Sequence, residues 1–199
     1  MKGVFDELDT PNLIVDRGIL EANLERMGNL AASKGVKLRP HAKTHKCVEI
    51  GRMQLKYGAG GLTLAKTSEA MNFAEQGFND IFLAYPVVGP VKLRRLIDLS
   101  HKCRVTVGVD SLEGAAELNR AFESDRSKLP VLLEVDTGLG RTGIGLDKVR
   151  SLAEGVSRMA HLEINGIYTF RGALLSEIQD SSDAGIKAAV DKQGRAEAE

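Results

Sequence analysis

The sequence has few cysteines and no excess of charge of either sign, and each of these absences excludes a class of protein. Its two cysteines, Cys47 and Cys103, are too few for a disulfide framework, and nothing near them has the spacing of a zinc site. Lysine plus arginine and aspartate plus glutamate number 27 each, so the net charge is zero. We therefore expect no nucleic-acid partner and no binding to an anionic membrane surface.

Long hydrophobic runs are also missing. No apolar stretch approaches the roughly 20 residues of a membrane span, and Met1–Glu7 carries acids where a signal peptide has an apolar run. A soluble, cytoplasmic protein is therefore expected. The hydrophobic content of 43% and the charged content of 27% are those of an ordinary globular protein, and 199 residues correspond to one domain or a domain and a fraction.

Short apolar runs alternate with longer amphipathic stretches along the whole chain. The runs are rich in Val, Ile, Leu or Thr and mostly lack polar alternation, as in strands that are covered on both faces. They are Leu13–Val15, Val36–Leu38, Gly61–Leu64, Ile81–Ala84, Val105–Val109, Val131–Val135 and Ile164–Tyr168. From Val36 onward they recur about every 20 to 30 residues, which is the period of a βαβ unit.

The stretches between these runs carry helix signals. Apolar residues recur at i, i+3 and i+4 from Ile19 to Leu30 and again over Val91–Leu99. Ser111 is a candidate N-cap for the helix that follows it, and Thr67-Ser68-Glu69 opens another helix in the same manner. The expected helix ends are marked by Gly35, Gly58 and Gly77.

Such an alternation builds either an open doubly wound sheet or a closed (β/α)8 barrel. No Gly-x-Gly-x-x-Gly follows the early strands, so a Rossmann fold lacks its main support and the barrel is favoured. Six strands follow from Val36, and the last helical pattern, Asp183–Glu199, runs to the end of the sequence. Because a complete barrel needs about 250 residues, we predict an α/β protein with a TIM-type barrel truncated after about six strands. The barrel would occupy residues 17–199, and residues 1–16 would contain a strand outside it.

The densest cluster of reactive side chains spans residues 38–47, at the carboxyl end of the first predicted barrel strand. Active sites of (β/α)8 enzymes lie at this end of the strands. Partial desolvation and the nearby cations Arg39 and Lys46 would favour the neutral amine of Lys43, which is the form that attacks a carbonyl to give a Schiff base. The alternative is a solvated basic turn.

A metal site is a further interpretation of the same cluster. His41 and His45 have the i, i+4 spacing of metal ligands on a helix. Pro40 disfavours a helix that begins before His41. We therefore predict no metal ligand here.

Two more clusters follow predicted strands. The glycine-rich segment Glu134–Gly143 carries Arg141 at its centre, and an arginine in such a loop can bind a phenolate or phosphate oxygen. A tight strand-to-helix connection would explain the glycines equally well. Arg171, just after the sixth strand, either holds a substrate carboxylate or is a surface residue at the barrel mouth. For Tyr85, at the end of the third strand, packing is favoured over a role at the mouth.

Three segments together resemble a known family. They are Thr10–Asp16 (TPNLIVD), Arg39–Lys46 (RPHAKTHK) and Glu134–Gly143 (EVDTGLGRTG). In this order they resemble the D-threonine aldolase and D-serine dehydratase-like family, which belongs to the alanine-racemase (fold type III) group of pyridoxal-phosphate enzymes. The resemblance covers nearly the whole chain, and the RPHAKTHK string is specific.

The resemblance implies a site and an activity. Lys43 would hold pyridoxal 5'-phosphate covalently and act as the catalytic base or acid. Arg141 would approach the phenolic oxygen of the cofactor, Tyr168 would lie near its phosphate, and His41 joins them as a candidate cofactor-binding residue. The substrate would be a small 3-hydroxy D-amino acid, cleaved by a retro-aldol reaction or dehydrated, with a divalent metal handling its hydroxyl group.

The resemblance also implies what lies outside this sequence. Residues 1–16 would contribute a strand to a later β-domain, and the last two barrel strands, the phosphate-binding glycines and the metal ligands would belong to further chain. Aldolases of the family carry a histidine near the end of the sixth strand, where this sequence has Phe170-Arg171-Gly172-Ala173. Without that base, retro-aldol cleavage is less expected.

The complete protein would be a homodimer.

Three alternatives to the lyase activity stay open. The first is an amino-acid racemase of the same fold, which would need a second base opposite Lys43. The second is an inactive fragment, and the third is a Schiff-base aldolase without a cofactor.

Overall fold

The structure is a computed structural model, and it describes residues 5–6 and 8–170. Arg171 and the helical pattern predicted over Asp183–Glu199 therefore lie outside the described residues. The roles predicted for them stay predictions.

Helices and strands alternate through the described part of the chain. The helices are α1 (Arg17–Ser33), α2 (Val48–Lys56), α3 (Thr67–Glu75), α4 (Pro90–Ser100), α5 (Leu112–Asp125) and α6 (Val149–Ser157), and a short 3-10 helix at Leu146–Lys148 leads into α6. The strands are β1 (Leu62–Leu64), β2 (Asp80–Leu83), β3 (Arg104–Val109), β4 (Leu129–Val135) and β5 (Leu162–Thr169). The predicted βα repeat is therefore confirmed from β1 onward.

All strand pairings in the sheet are parallel, and the strand order β1-β2-β3-β4-β5 follows the chain. Consecutive strands that lie side by side, each pair joined by a helix, form the repeating unit of a (β/α) barrel. This arrangement gathers the carboxyl ends of all five strands at one edge of the sheet.

The prediction of a regular strand over Val36–Leu38 is wrong. Leu38 and His41 form only isolated parallel bridges, to Ala59 and Thr63. Between these bridges stands Pro40, which has no N–H group to donate to a ladder and accepts through its carbonyl from the amide of Thr63 at 2.8 Å. The segment therefore runs beside β1 as an irregular edge, and five strands rather than six are formed among the described residues.

The predicted strand Leu13–Val15 does not form among the described residues either. This segment has no assigned secondary structure and pairs with no described strand, and the Leu13 side chain is 99% exposed. An apolar strand needs a partner edge for its backbone groups and cover for its side chains, and the described residues offer it neither. Its membership of a separate β-domain stays a prediction.

The core lies between the sheet and the helices. Side chains from alternate strand positions enter it, including Leu62, Ile81, Val107 and Leu133, which are at most 1% exposed. The positions between them point to the opposite face of the sheet, because successive side chains of a strand alternate. On that face Thr63, Phe82 and Glu134 are also buried, as expected for strands covered on both faces.

Local helix signals are confirmed in most cases. Ser111 caps α5, with its Oγ accepting from the amide of Gly114 at 3.3 Å. Gly35 and Gly77 follow helix ends with φ of 65° and 87°, a conformation that costs glycine little. Thr67 is an exception. It is the first residue of α3, one position after the N-cap Lys66, and its Oγ1 accepts from Arg95 of α4 at 3.2 Å.

Candidate active site

A tight turn fixes Lys43 at the carboxyl end of the sheet. Ala42 is fully buried, its amide donates to the Thr63 carbonyl at 2.8 Å, and its own carbonyl accepts from the amide of Lys46 at 2.8 Å. Lys43 follows Ala42 directly, and its amide donates to Nδ1 of His41 at 3.3 Å. The backbone of Lys43 is thus held by its neighbours, while its partly buried side chain extends into a cavity.

The cavity has a volume of about 390 Å³ and opens at the carboxyl ends of the strands. Its lining is formed by Arg39, His41, Lys43, Thr63, Phe82, Ala84, Arg141, Tyr168, Thr169 and Phe170. All four predicted site residues within the described part of the chain, His41, Lys43, Arg141 and Tyr168, are therefore brought together. Their roles in binding or catalysis stay predictions at this point.

Lys43 and Arg141 face the same aromatic ring. The Lys43 ammonium nitrogen lies 5.6 Å from the centroid of the Phe170 ring, and the Arg141 guanidinium carbon lies 4.8 Å from it. Each distance suits a cation–π contact. Two residues that are 98 positions apart in sequence thus share one wall of the cavity.

The tyrosine of the site is held by a buried carboxylate. The Tyr168 hydroxyl donates to Oε2 of Glu134 at 2.8 Å, and the Thr142 hydroxyl donates to Oε1 of the same carboxylate at 2.7 Å. Glu134 is only 2% exposed. The Tyr168 ring packs edge-to-face on Phe82, with ring centroids 4.9 Å apart.

Gly108 makes room for the Tyr168 ring. A Cβ atom at position 108 would lie 2.2 Å from the Tyr168 hydroxyl oxygen, closer than two non-bonded atoms can approach. The position of the phenol is therefore set by Glu134, Phe82 and the missing side chain at Gly108 together.

The electrostatic environment keeps Tyr168 protonated. Burial raises the pKa of the Tyr168 phenol far above its ordinary value, and the hydrogen bond and charge of Glu134 raise it further. The positive charge of Arg141 acts in the opposite direction and is a smaller effect. At neutral pH this tyrosine is a hydrogen-bond donor and not a base.

His41 is also held in its neutral form. Burial lowers its pKa most, and the positive charge of Lys43 lowers it further, while the charge of Glu69 and the Thr63 backbone oppose the shift. Because its Nδ1 accepts from the Lys43 amide, the neutral ring carries its proton on Nε2. His41 thus lines the cavity without adding a charge.

The neighbouring cations predicted to act on Lys43 are each compensated. Arg39 pairs with Asp80 at 2.7 Å, and Arg104 pairs with the other oxygen of that carboxylate. The Lys46 ammonium lies 3.3 Å from Glu69. The cluster is therefore a set of ion pairs around Lys43 rather than an uncompensated basic turn.

The metal interpretation of His41 and His45 is not supported by the backbone. Residues 42–45 form a turn, so the i, i+4 geometry of a helix face does not apply to this pair. Within residues 5–6 and 8–170, no group of three or more His, Cys, Asp or Glu side chains is placed to hold a metal ion.

The glycine-rich loop serves as a connection and also presents Arg141. The Asp136 carboxylate accepts from the amides of Gly138 at 2.9 Å and Gly140 at 3.1 Å, and these bonds lower its pKa. This folds the loop back on the end of β4 and places Arg141 at the cavity. The two interpretations of the glycines in the sequence are therefore compatible.

Sequence reasoning missed the role of Glu134. Glu134 and Tyr168 face each other because β4 and β5 pair in that register, after a shift between Val131 and Leu132. No local sequence pattern predicts a strand register that contains such an irregularity. A buried glutamate at the end of an otherwise apolar run was the one available signal, because such a carboxylate needs partners.

The parallel strand order and the cavity at the strands' carboxyl ends define a domain of the (β/α) barrel class. Within that class, the chain belongs to the alanine racemase N-terminal domain family, whose model matches residues 15–195. The predicted fold and family resemblance are confirmed.

Individual relatives refine this placement. The chain is 38% identical over 168 residues to a D-threonine aldolase from Arthrobacter sp, a match that covers 84% of this chain and 44% of the relative. It is 32% identical over 178 residues to a D-threo-3-hydroxyaspartate dehydratase from Delftia sp. (strain HT23), covering 87% of this chain and 46% of the relative. The chain thus spans somewhat less than half the length of these curated relatives.

A solved structure has a similar fold. The crystal structure of D-threonine aldolase from Filomicrobium marinum superposes with a TM-score of 0.87 at 32% sequence identity, over 96% of this chain and 51% of that one. None of the helices in the described part of the chain is long and apolar enough to cross a membrane.

The contact between Tyr168 and Glu134 predicts a change in tyrosine titration. Glu134→Gln removes the negative charge beside the phenol, so the pKa of Tyr168 should fall, although burial still keeps it raised. The chain has three tyrosines and no tryptophan, so phenolate absorbance in the near ultraviolet reports them without interference. We expect Tyr168 to stay protonated until alkaline unfolding in the unaltered chain and to ionise at lower pH in the variant.

Two further variants make this titration specific. Tyr168→Phe should remove the late-titrating group, and Glu113→Gln, which neutralises an exposed glutamate on α5, should leave the curve unchanged. Identical titration curves for Glu134→Gln and the unaltered chain would show that the carboxylate does not control the phenol.

Proposed function

We propose that the complete protein is a pyridoxal-phosphate-dependent lyase acting on a small 3-hydroxy D-amino acid, and that this chain supplies the lysine side of its active site. The observation that carries the proposal is the meeting of Lys43 and Arg141 in one cavity at the carboxyl ends of the strands. The activities named for the Arthrobacter and Delftia relatives, an aldolase and a dehydratase, support the substrate class.

The residues of the cavity suit this cofactor. Lys43 offers a primary amine to an aldehyde, and Arg141 offers a planar set of donors to a phenolic or phosphate oxygen. Tyr168, whose hydroxyl donates to Glu134, and neutral His41 complete the lining without adding positive charge. A volume of about 390 Å³ lies within the usual range of small-molecule sites. The cavity therefore fits an aromatic aldehyde that carries an anionic group.

When bound, the cofactor would supply an electron sink for the bonding electrons released at the substrate Cα atom. The residues of this chain would do the rest. Lys43 would hold the cofactor through its Nζ atom and, once displaced by the substrate amine, carry a proton to or from Cα. Arg141 would fix the ring by donating to its phenolic oxygen, and the Phe170 ring orients both cations.

The position of Phe170 bears on which bond is broken. It lies against Lys43 and Arg141, near the place where the family resemblance implies a histidine in aldolases. A phenyl ring cannot accept the proton of the substrate's β-hydroxyl group, and retro-aldol cleavage requires that proton to leave. Among the lyase reactions, this favours loss of the hydroxyl group over cleavage of the Cα–Cβ bond. We also propose that the complete protein binds a divalent metal and forms a homodimer.

Product analysis tests the proposal. The complete protein, supplied with pyridoxal phosphate and a divalent metal, is incubated with D-serine, D-threonine and their L-enantiomers. Dehydration of D-serine gives pyruvate and ammonia, and retro-aldol cleavage of D-threonine gives acetaldehyde and glycine. We expect one of these product pairs from the D-enantiomer only. Loss of optical activity without either pair would identify a racemase instead, and no change in any substrate would contradict the proposal.

A further inference from the structure

A second cavity lies beside the sheet, outside the site described above. Its volume is about 360 Å³, and it is bounded by the start of α3, the face of α4 and the segment that follows β2. None of its lining residues lines the Lys43 cavity. It is therefore a separate concavity, and the proposed lyase chemistry makes no use of it.

Three cations line this second cavity without a carboxylate partner. They are Lys66, at the N-cap of α3, and Lys92 and Arg95, which are three residues apart on α4 and so share one face of that helix. Among the described residues, none of the three forms an ion pair. Lys66 and Lys92 are exposed and Arg95 is half-buried, and three positive charges around one concavity give it a potential that attracts an anion.

One of these cations is held in place. Arg95 donates through Nη1 to the Thr67 hydroxyl at 3.2 Å, and Thr67 is only 4% exposed. This bond uses one of the five donors of the guanidinium group and fixes its plane. The acid in the first turn of α3, Glu69, does not neutralise the group, because it pairs with Lys46 at 3.3 Å.

The rest of the lining is largely apolar. Tyr85, Pro86 and Val87 form this part of the wall, and the Tyr85 ring is 46% exposed. A bare inorganic ion would leave that surface in contact with water. The pocket instead suits a ligand with an anionic head for the three cations and an apolar body for the wall.

We propose that this cavity binds a small organic anion, a carboxylate or phosphate ester with an apolar body. The anionic group sits between Lys66, Lys92 and Arg95, and the apolar part packs on Tyr85 and Pro86. The first turn of α3 has no side-chain cap, so its amide groups are available to the same anion. The site does not depend on the proposed lyase activity.

Three probe ligands of similar size test the proposal. Benzoate, phenyl phosphate and neutral benzamide are titrated into the isotope-labelled chain, and the amide resonances of Thr67 and Ser68 are followed by NMR. We expect benzoate or phenyl phosphate to shift these resonances in a saturable way and benzamide to leave them in place. The stronger of the two anions identifies the head group.

Matched variants separate charge from shape. Lys92→Gln and Arg95→Gln should each weaken binding of the anion by about tenfold or more, the usual effect of losing a charge-assisted hydrogen bond. Lys102→Gln, an exposed lysine outside the cavity, should not change it, and circular dichroism checks that each variant is folded.

Several results would overturn the proposal. One is binding of benzamide as strong as that of the anions, and another is unchanged affinity for the anion in both cavity variants. A third is the absence of any saturable shift of the Thr67 and Ser68 resonances at millimolar concentrations of the anions. Repeating the titration with Arg141→Gln, which removes an anion-binding side chain from the Lys43 cavity only, guards against binding in that cavity. We expect the Thr67 and Ser68 shifts to persist in that altered protein. Their loss would show that the anion binds in the Lys43 cavity instead.

Discussion

Lys43→Ala should reduce the lyase kcat of the complete protein by about 10²- to 10⁴-fold, the range that a positioned proton-transfer group supplies. The loss of the cofactor's covalent attachment would add to this effect. Lys43 is the only lysine among the described residues that lines the cavity, so no other described amine can take its place. The rate of product formation from a 3-hydroxy D-amino acid measures the effect.

Lys46→Ala is the matched control. It removes a lysine from the same string, but the Lys46 ammonium pairs with Glu69 and does not line the cavity. The Lys46 side chain is 56% exposed and the Glu69 side chain 11% exposed, so losing the pair should lower stability, while the folded variant should keep most of the activity. Equal losses in the two variants would show that the string matters for folding rather than for chemistry, and full activity in Lys43→Ala would refute the assigned role.

The largest stability change is expected from Phe122→Ala. The Phe122 side chain is fully buried in α5, within the core cluster that also contains Leu118 and Leu129. Truncating a buried phenylalanine to alanine costs about 3–5 kcal/mol, because burial is lost and a cavity remains. Urea unfolding followed by circular dichroism should therefore show a lower midpoint and a correspondingly smaller free energy of unfolding.

The same substitution at Phe5 provides the comparison. Phe5 is 60% exposed, so Phe5→Ala should change the free energy of unfolding by no more than about 0.5 kcal/mol. A loss at Phe122 as small as the loss at Phe5 would mean that the packing of α5 against the sheet is not as described.

Much of the fold follows from local sequence signals. Strands β1 to β5 were predicted within two residues of their ends, because each is a short run of Val, Ile or Leu bounded by polar residues or glycine. The cap at Ser111 and the helix ends before Gly35 and Gly77 depend only on neighbouring residues, and they too were predicted. The family resemblance then indicated which strand ends carry the site.

The errors arise where distant residues decide the outcome. Pro40 interrupts the ladder of the first predicted strand, and Leu13–Val15 lacks a partner edge among the described residues. Thr67 resembles a cap in sequence, yet its hydroxyl accepts from Arg95, which is 28 residues away. Apolarity and capping propensity do not report such partners.

In the candidate site, too, local signals were predicted and contacts between distant residues were not. Lys43 and Arg141 were predicted from their motifs, but the carboxylates that compensate Arg39 and Lys46 were not. The bond from Tyr168 to Glu134 joins residues 34 positions apart and depends on the register of β4 and β5. Contacts of this kind become visible only once the strands are paired.

Attachment of the cofactor to Lys43 is the central claim, and chemical labelling tests it most directly. The complete protein is mixed with pyridoxal phosphate, reduced with borohydride and digested, and the modified peptide is identified by mass spectrometry. The account predicts that the label lies on Lys43 and is absent from the Lys43→Ala variant. A label on Lys46 or another lysine, with Lys43 unmodified, would contradict it.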